Sequence, residues 1–177
     1  MAAVGYDSDF AKYTLCEAIS ANFSVVGTGP LILINVLDPS KHSENINTTT
    51  IRVTDGVAAL DKIGVMLNTL KVEIEGEEEG GISELTTLVN GRDYTACFNK
   101  DGTVSIVLIA GGAGEGATEL LVSGKRLNPD AVTAADIVGG VNISTGEETG
   151  MEVIRQIYPK FGMTPGILLA PRWSMEP

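Results

Sequence analysis

The chain has 177 residues, 44% of them hydrophobic, and 12 Lys and Arg against 23 Asp and Glu give a formal charge of -11. That length holds one ordinary domain or two small ones around a real core. The acidic excess, unrelieved by any basic cluster, repels a phosphate backbone and argues against a nucleic-acid partner. No run of apolar residues is long enough to span a bilayer, and the stretch from Met1 to Phe10 has neither a basic nor an apolar signal region. The expectation is a protein without a membrane span or secretory signal, kept in the cytosol. Cys16 and Cys97 stand far apart with no CxxC spacing, so a disulfide scaffold, a redox pair and a zinc site are disfavoured and both read as buried thiols.

In chain order, Asp9 to Phe23 places Tyr13, Cys16, Ile19 and Phe23 at three- and four-residue spacing behind Ser8 and Asp9 as caps, which predicts an amphipathic helix. After Gly27, Gly29 and Pro30 comes Leu31-Ile-Leu-Ile-Asn-Val-Leu37, closed by Asp38-Pro39. This run is too short for a helix and does not alternate, so it reads as a strand buried on both faces, the signature of a parallel sheet.

From Ser43 to Asn128 the texture turns to β-branched runs separated by Gly, Asn and Asp: Thr48 to Thr54, Met66 to Ile74, Tyr94 to Phe98, Val104 to Ile109 and Thr118 to Val122. Asn99-Lys-Asp-Gly102 is a hairpin signal and Asn90-Gly91 a second turn. Val57 to Leu70 also fits a helical face, but Gly64 and the flanking patterns favour β. Beyond Asn128-Pro129, Thr133-Ala-Ala-Asp136 predicts a capping box opening a short helix that stops at Gly139-Gly140, and Thr145-Gly-Glu-Glu148 a second box. The helix after it carries Met151, Ile154, Ile157 and Tyr158 inward and ends at Pro159. Gly166-Ile-Leu-Leu-Ala170 repeats the character of 31–37, which suggests two neighbours in one sheet.

The expected fold is therefore α/β: a discontinuous platform at 1–42 plus 129–177, with parallel-type buried strands, and an inserted β-rich module at 43–128, a small sandwich or barrel. Two buried strands make a narrow parallel sheet, and Trp173 to Pro177 follow directly on a core strand, so the chain reads as a fragment.

Candidate chemistry is sparse. Gly111-Gly-Ala-Gly-Glu-Gly-Ala117 follows a strand and could offer backbone N–H groups to a phosphate. A dinucleotide fingerprint must open a helix, however, and Thr118 to Val122 runs straight into Ser123-Gly124. A flexible hairpin loop is the competing account of the Gly111–Gly116 segment. Ser123-Gly-Lys-Arg126 lacks the glycine spacing and the hydroxyl of a phosphate-binding P-loop. Glu73, Glu75, Glu77, Glu78 and Glu79 form a dense carboxylate run without the turn glycine of a calcium loop, and read as a solvated loop tip. His42 is the sole histidine and sits in a polar loop with no placed nucleophile. The reading assigns no catalytic, cofactor-binding or metal-binding residue, and no cofactor.

Five stretches carry a resemblance. They are Tyr6-Asp-Ser-Asp-Phe-Ala-Lys-Tyr-Thr-Leu-Cys-Glu-Ala18, Gly29-Pro-Leu-Ile-Leu-Ile-Asn-Val-Leu-Asp-Pro39 with Lys41-His42, Val132-Thr-Ala-Ala-Asp-Ile-Val-Gly-Gly140, Thr145-Gly-Glu-Glu-Thr-Gly150, and the stretch from Phe161 to Ser174. In this order they resemble the phage tail sheath proteins of myoviruses, prophages and R-type bacteriocins, except that Arg172 stands where the family has Gly. The resemblance implies a non-catalytic subunit of a contractile sheath, which surrounds a tail tube and shortens to drive it through a cell envelope. It also implies other sheath subunits and the tube as partners, assembly in the bacterial host cytoplasm and residence in the virion tail or a tail-like particle. The family's further N-terminal region and C-terminal domain would be missing, so this chain alone is expected to be monomeric. The module at 43–128 would face outward. Two other readings compete with it: a small nucleotide-binding enzyme using the Gly111–Gly116 loop, and a β-module that recognises surface glycans or proteins.

Overall fold

The computed structural model describes residues 14–27, 29–76, 84–171 and 173. They divide into two compact units, one built from 1–37 with 132–177 and the other from 38–131.

The second unit is a single seven-stranded sheet. Its strands are β1 (Ser43–Thr54), β2 (Val57–Leu60), β3 (Lys71–Glu75), β4 (Leu85–Leu88), β5 (Tyr94–Phe98), β6 (Val104–Leu108) and β7 (Glu119–Leu127). They lie in the order β4-β3-β7-β1-β2-β6-β5, and every pairing between them is antiparallel. The alternation of apolar and polar residues explains the shape. Val72 of β3, Leu120 and Val122 of β7, Ala58 and Leu60 of β2, and Val104 and Ile106 of β6 are all at most 1% exposed and share one core with Ile46, Val65, Leu88 and Tyr94. A sheet whose two ends bury side chains in the same core must curl, and the end strands β4 and β5 are joined by the short turn 89–93. β1 is the spine, since its length pairs with β7 while its last two residues pair with β2 at Val53↔Ala58 and Thr54↔Val57. A register shift between Ile46 and Thr49 puts one extra residue into β1 opposite β7, a bulge that sharpens the local twist.

The first unit begins with α1 (Thr14–Ser20), which buries Cys16 and Ile19 and runs on into a π-helical turn over Ala21–Val26, closed by Gly27 in the left-handed region. Tyr13 and the proposed caps Ser8 and Asp9 lie outside the described residues. Further on come α2 (Ala134–Val138), the hairpin of β8 (Gly140–Val141) and β9 (Glu148–Thr149), a 3-10 segment over Gly150–Gln156, and α3 (Ile157–Phe161). The capping box at α2 forms: Thr133 donates from its N–H and its hydroxyl to Asp136 Oδ2 at 2.8 and 2.6 Å. The second box does not, because Thr145 lies in the turn of the β8–β9 hairpin and Glu148 in β9. α3 buries Ile157, leaves Tyr158 67% exposed and passes through Pro159 to a left-handed Gly162 cap.

The α/β expectation is overturned. Among the described residues the structure is mostly β, with short helices and no platform of parallel strands. Residues 31–37 and 166–170 form no strand among the described residues; the first run is half-buried at best, and Ile167, Leu168 and Leu169 are exposed. The physical reason lies in the signal itself. A continuous apolar run records the hydrophobicity of a strand covered on both faces, but pairing needs neighbouring strands, and the described residues supply none.

Candidate functional site

The glycine loop is the strongest candidate from sequence, and it connects β6 to β7 rather than opening a helix. Gly111 and Gly116 take φ of 78° and 79°, the left-handed region that glycine enters without strain. Gly112 is needed for another reason, since a Cβ there would stand 2.7 Å from Asp93 Cα.

Asp93 organises the loop. It ends the turn 89–93 and is 2% exposed, yet its carboxylate is fully engaged. Oδ2 accepts from the Val89 N–H at 2.8 Å and Oδ1 from the Ala113 N–H at 3.0 Å, while Arg92 donates from Nε at 3.0 Å and from Nη2 at 2.8 Å. The Asp93 carbonyl accepts from the Ile109 N–H at 3.0 Å. The Arg92 hydrogen bonds, followed by the Ala113 and Val89 amides, hold this carboxyl well below the usual carboxylate range against the opposing effect of burial. One carboxylate thus ties the start of β5 to the loop after β6.

Further loop amides are occupied as well. Gly111 N–H donates to Glu115 Oε2 at 2.8 Å, Gly112 N–H to the Ile109 carbonyl at 3.0 Å, and Glu115 N–H to the Gly112 carbonyl at 3.0 Å. A phosphate cradle needs several N–H groups aimed at the anion, whereas here two carboxylates of the chain already hold such groups and would repel a phosphate. Sequence reading found the glycines but missed Asp93, whose only signal was an Asp shortly after Asn90-Gly91 and next to an Arg.

The other candidates disperse. Ser123 to Arg126 lie inside β7, where Gly124 lets the 3-10 turn over Leu67–Thr69 approach closely, a Cβ there being 3.1 Å from the Thr69 carbonyl oxygen. Arg126 pairs with Glu44. Glu73 is not at a solvated tip: it is 9% exposed on β3, with Lys71 Nζ at 2.7 Å and the Thr87 hydroxyl at 3.3 Å, and the Lys71 hydrogen bond lowers its pKa. Glu75 ends β3 exposed, and Glu77, Glu78 and Glu79 lie outside the described residues. His42 is 3% exposed and serves the backbone, its Nδ1 accepting from the Asp38 N–H at 2.9 Å and its carbonyl from the Asn128 N–H at 2.9 Å. Cys16 is buried, as expected; Cys97 is exposed on β5, contrary to expectation, because its position in the strand alternation faces outward. Among the described residues, no three His, Cys, Asp or Glu side chains come together as a metal site.

No family model matches the chain, and no solved structure matches it. It is similar to the tail sheath protein of Burkholderia phage BcepMu, with 31% identity over 98% of the chain. The chain spans about a third of that relative's length, 34%. A match over almost every residue, from the same family that the five stretches resembled, makes this chain a relative of the phage tail sheath proteins.

Proposed function

We propose that the chain serves as a structural, non-catalytic part of a contractile tail sheath. In this reading it helps to surround a tail tube and takes part in the shortening that drives the tube through a cell envelope. The observation that carries the proposal is the 31% identity extending over 98% of the chain. The hydrogen bonds of the glycine loop to Asp93 and Glu115 support it, since they engage N–H groups that a phosphate would need. The partners are other sheath subunits and the tube, with assembly in the bacterial host cytoplasm before incorporation into the virion tail or a tail-like particle. Function on this account resides in subunit contacts, as a sheath does its work by rearranging interfaces.

The proposal extends to organisation. A host portion at 1–42 plus 129–177 carries an outward-facing β module at 43–128, and the partition of the chain into 1–37 with 132–177 and 38–131 supports this division.

The test is a chimera in which this sequence replaces the matching third of the Burkholderia phage sheath protein. Tubular assemblies in electron micrographs are the expected result. A folded chimera that forms no tubes, beside an unmodified sheath protein that does, would overturn the proposal.

A further inference from the structure

The only Asn-Gly pair of the chain, Asn90-Gly91, lies in the turn 89–93 between β4 and β5. This dipeptide is prone to a spontaneous backbone reaction, because a residue without Cβ leaves its nitrogen unshielded. The Gly91 nitrogen attacks the side-chain carbonyl carbon of Asn90. A new C–N bond forms as the amide C–N bond breaks, and ammonia leaves with the proton from Gly91. Water then opens the cyclic imide, from one side to aspartate and from the other to isoaspartate, in which the main chain runs through the former side chain.

Asn90 and Gly91 are both exposed, so water reaches them. The nitrogen, however, is held. Gly91, at φ 83°, donates its N–H to the Tyr94 carbonyl at 2.8 Å, and Tyr94 is 2% exposed in the core. The turn is closed around it. The Val89 carbonyl accepts from the N–H groups of Asp93 and Arg92 at 2.8 and 3.2 Å, and the Val89 N–H donates to Asp93 Oδ2 at 2.8 Å. A nitrogen bonded to a buried residue cannot also swing onto the neighbouring side chain, so the attack waits for the turn to open.

We propose that Asn90 is a latent modification site, converted to aspartate or isoaspartate only from the opened turn, with the Arg92–Asp93 contacts setting how often the turn opens. When opening and closing are fast beside the chemistry, the rate follows the population of the open form. The step is one-way, since the ammonia is lost to solvent. Isoaspartate lengthens the main chain between residues 90 and 91 by a methylene. That draws the Gly91 N–H away from Tyr94, at the point where Asp93 ties the start of β5 to the Ala113 amide. An opening that ends in reaction therefore leaves a lasting mark, while every other opening closes without trace.

The test incubates the full chain at mildly alkaline pH, native and in urea, and follows Asn90 by peptide mapping with mass spectrometry. The unfolded chain should convert at least about tenfold faster than the native one. Two variants locate the gate. Arg92→Ala removes two donors from Asp93 at an exposed position and should raise the native rate several-fold. Val122→Ala trims the core on β7, outside the turn, and should leave the native rate near that of the wild type. Cooperative urea melting shows that each is folded, and Arg92→Lys, which loses the paired donor geometry, replaces Arg92→Ala if it is not. No conversion in urea would overturn Asn90 as the site, and equal native and unfolded rates would overturn the gate. A native rate unmoved by the Arg92 variant, or raised as much by Val122→Ala, would overturn the turn's opening as the controlling step.

Discussion

The two units handle comparable apolar residues in opposite ways. In 38–131 alternation sends Leu60, Val72, Val104, Ile106, Leu120 and Val122 into one core, each at most 1% exposed. In the other unit Ile167, Leu168 and Leu169 stand consecutively and are 82, 54 and 59% exposed. The lesson concerns patterning rather than hydrophobicity. An alternating strand needs cover on one face only, and a curled sheet provides that cover itself. A consecutive apolar run needs cover on both faces and partners on both edges, which a strand cannot supply alone.

The sharpest way to break this contrast is to truncate one leucine in each unit. Leu60→Ala removes a side chain from a filled core and should lower unfolding free energy by about 3 kcal/mol, read from the urea midpoint. Leu168→Ala should change it by less than about 0.5 kcal/mol, as at other exposed positions. Equal losses would mean that the run at 166–170 is packed as firmly as the sheet. The next largest effect is expected where the turn 89–93 meets the loop after β6. Gly112→Ala forces a Cβ against Asp93 backbone and should cost about 2 kcal/mol, whereas an alanine at Gly140, where a Cβ meets open space, should be far milder.

Asp93→Asn sharpens the comparison through pH, because it removes the charge and turns one of two oxygens, each accepting two hydrogen bonds, into a donor. The folded-state pKa of Asp93 is lowered, so its contribution is present above the ordinary Asp value of about 3.9 and is lost as pH falls through the lower folded value. The gap in urea midpoint between the wild type and Asp93→Asn should hold from neutral pH down to about pH 5 and narrow in stronger acid. A gap that fails to narrow in stronger acid would show that the negative charge contributes nothing.

The sheet unit was largely legible. Tyr94 to Phe98 coincides with β5, and the Asn99–Gly102 turn joins β5 to β6 because Asn and Gly favour that geometry regardless of their surroundings. β4 went unread: Leu85-Thr-Thr-Leu88 is too short for an alternation to stand out. The parallel strands at 31–37 and 166–170 were misread because buried-strand hydrophobicity is a property of the run, while pairing belongs to its neighbours. At the candidate site the glycines were visible and their meaning was not. Whether an amide can receive a ligand depends on what already holds it, and Asp93 lies twenty positions before its partner Ala113.

The pairing of β1 with β7 has a kinetic consequence. Ser43 lies opposite Leu127 and Arg52 opposite Glu119, so the longest ladder of the sheet joins its first strand to its last. The β5–β6 hairpin can close within microseconds from neighbouring residues, but the β1–β7 ladder must first restrain all the chain between them, and that entropy is lost before any hydrogen bond of the ladder offsets it. During synthesis the spine strand therefore waits, unpaired along most of its length, until the ribosome has released the final strand.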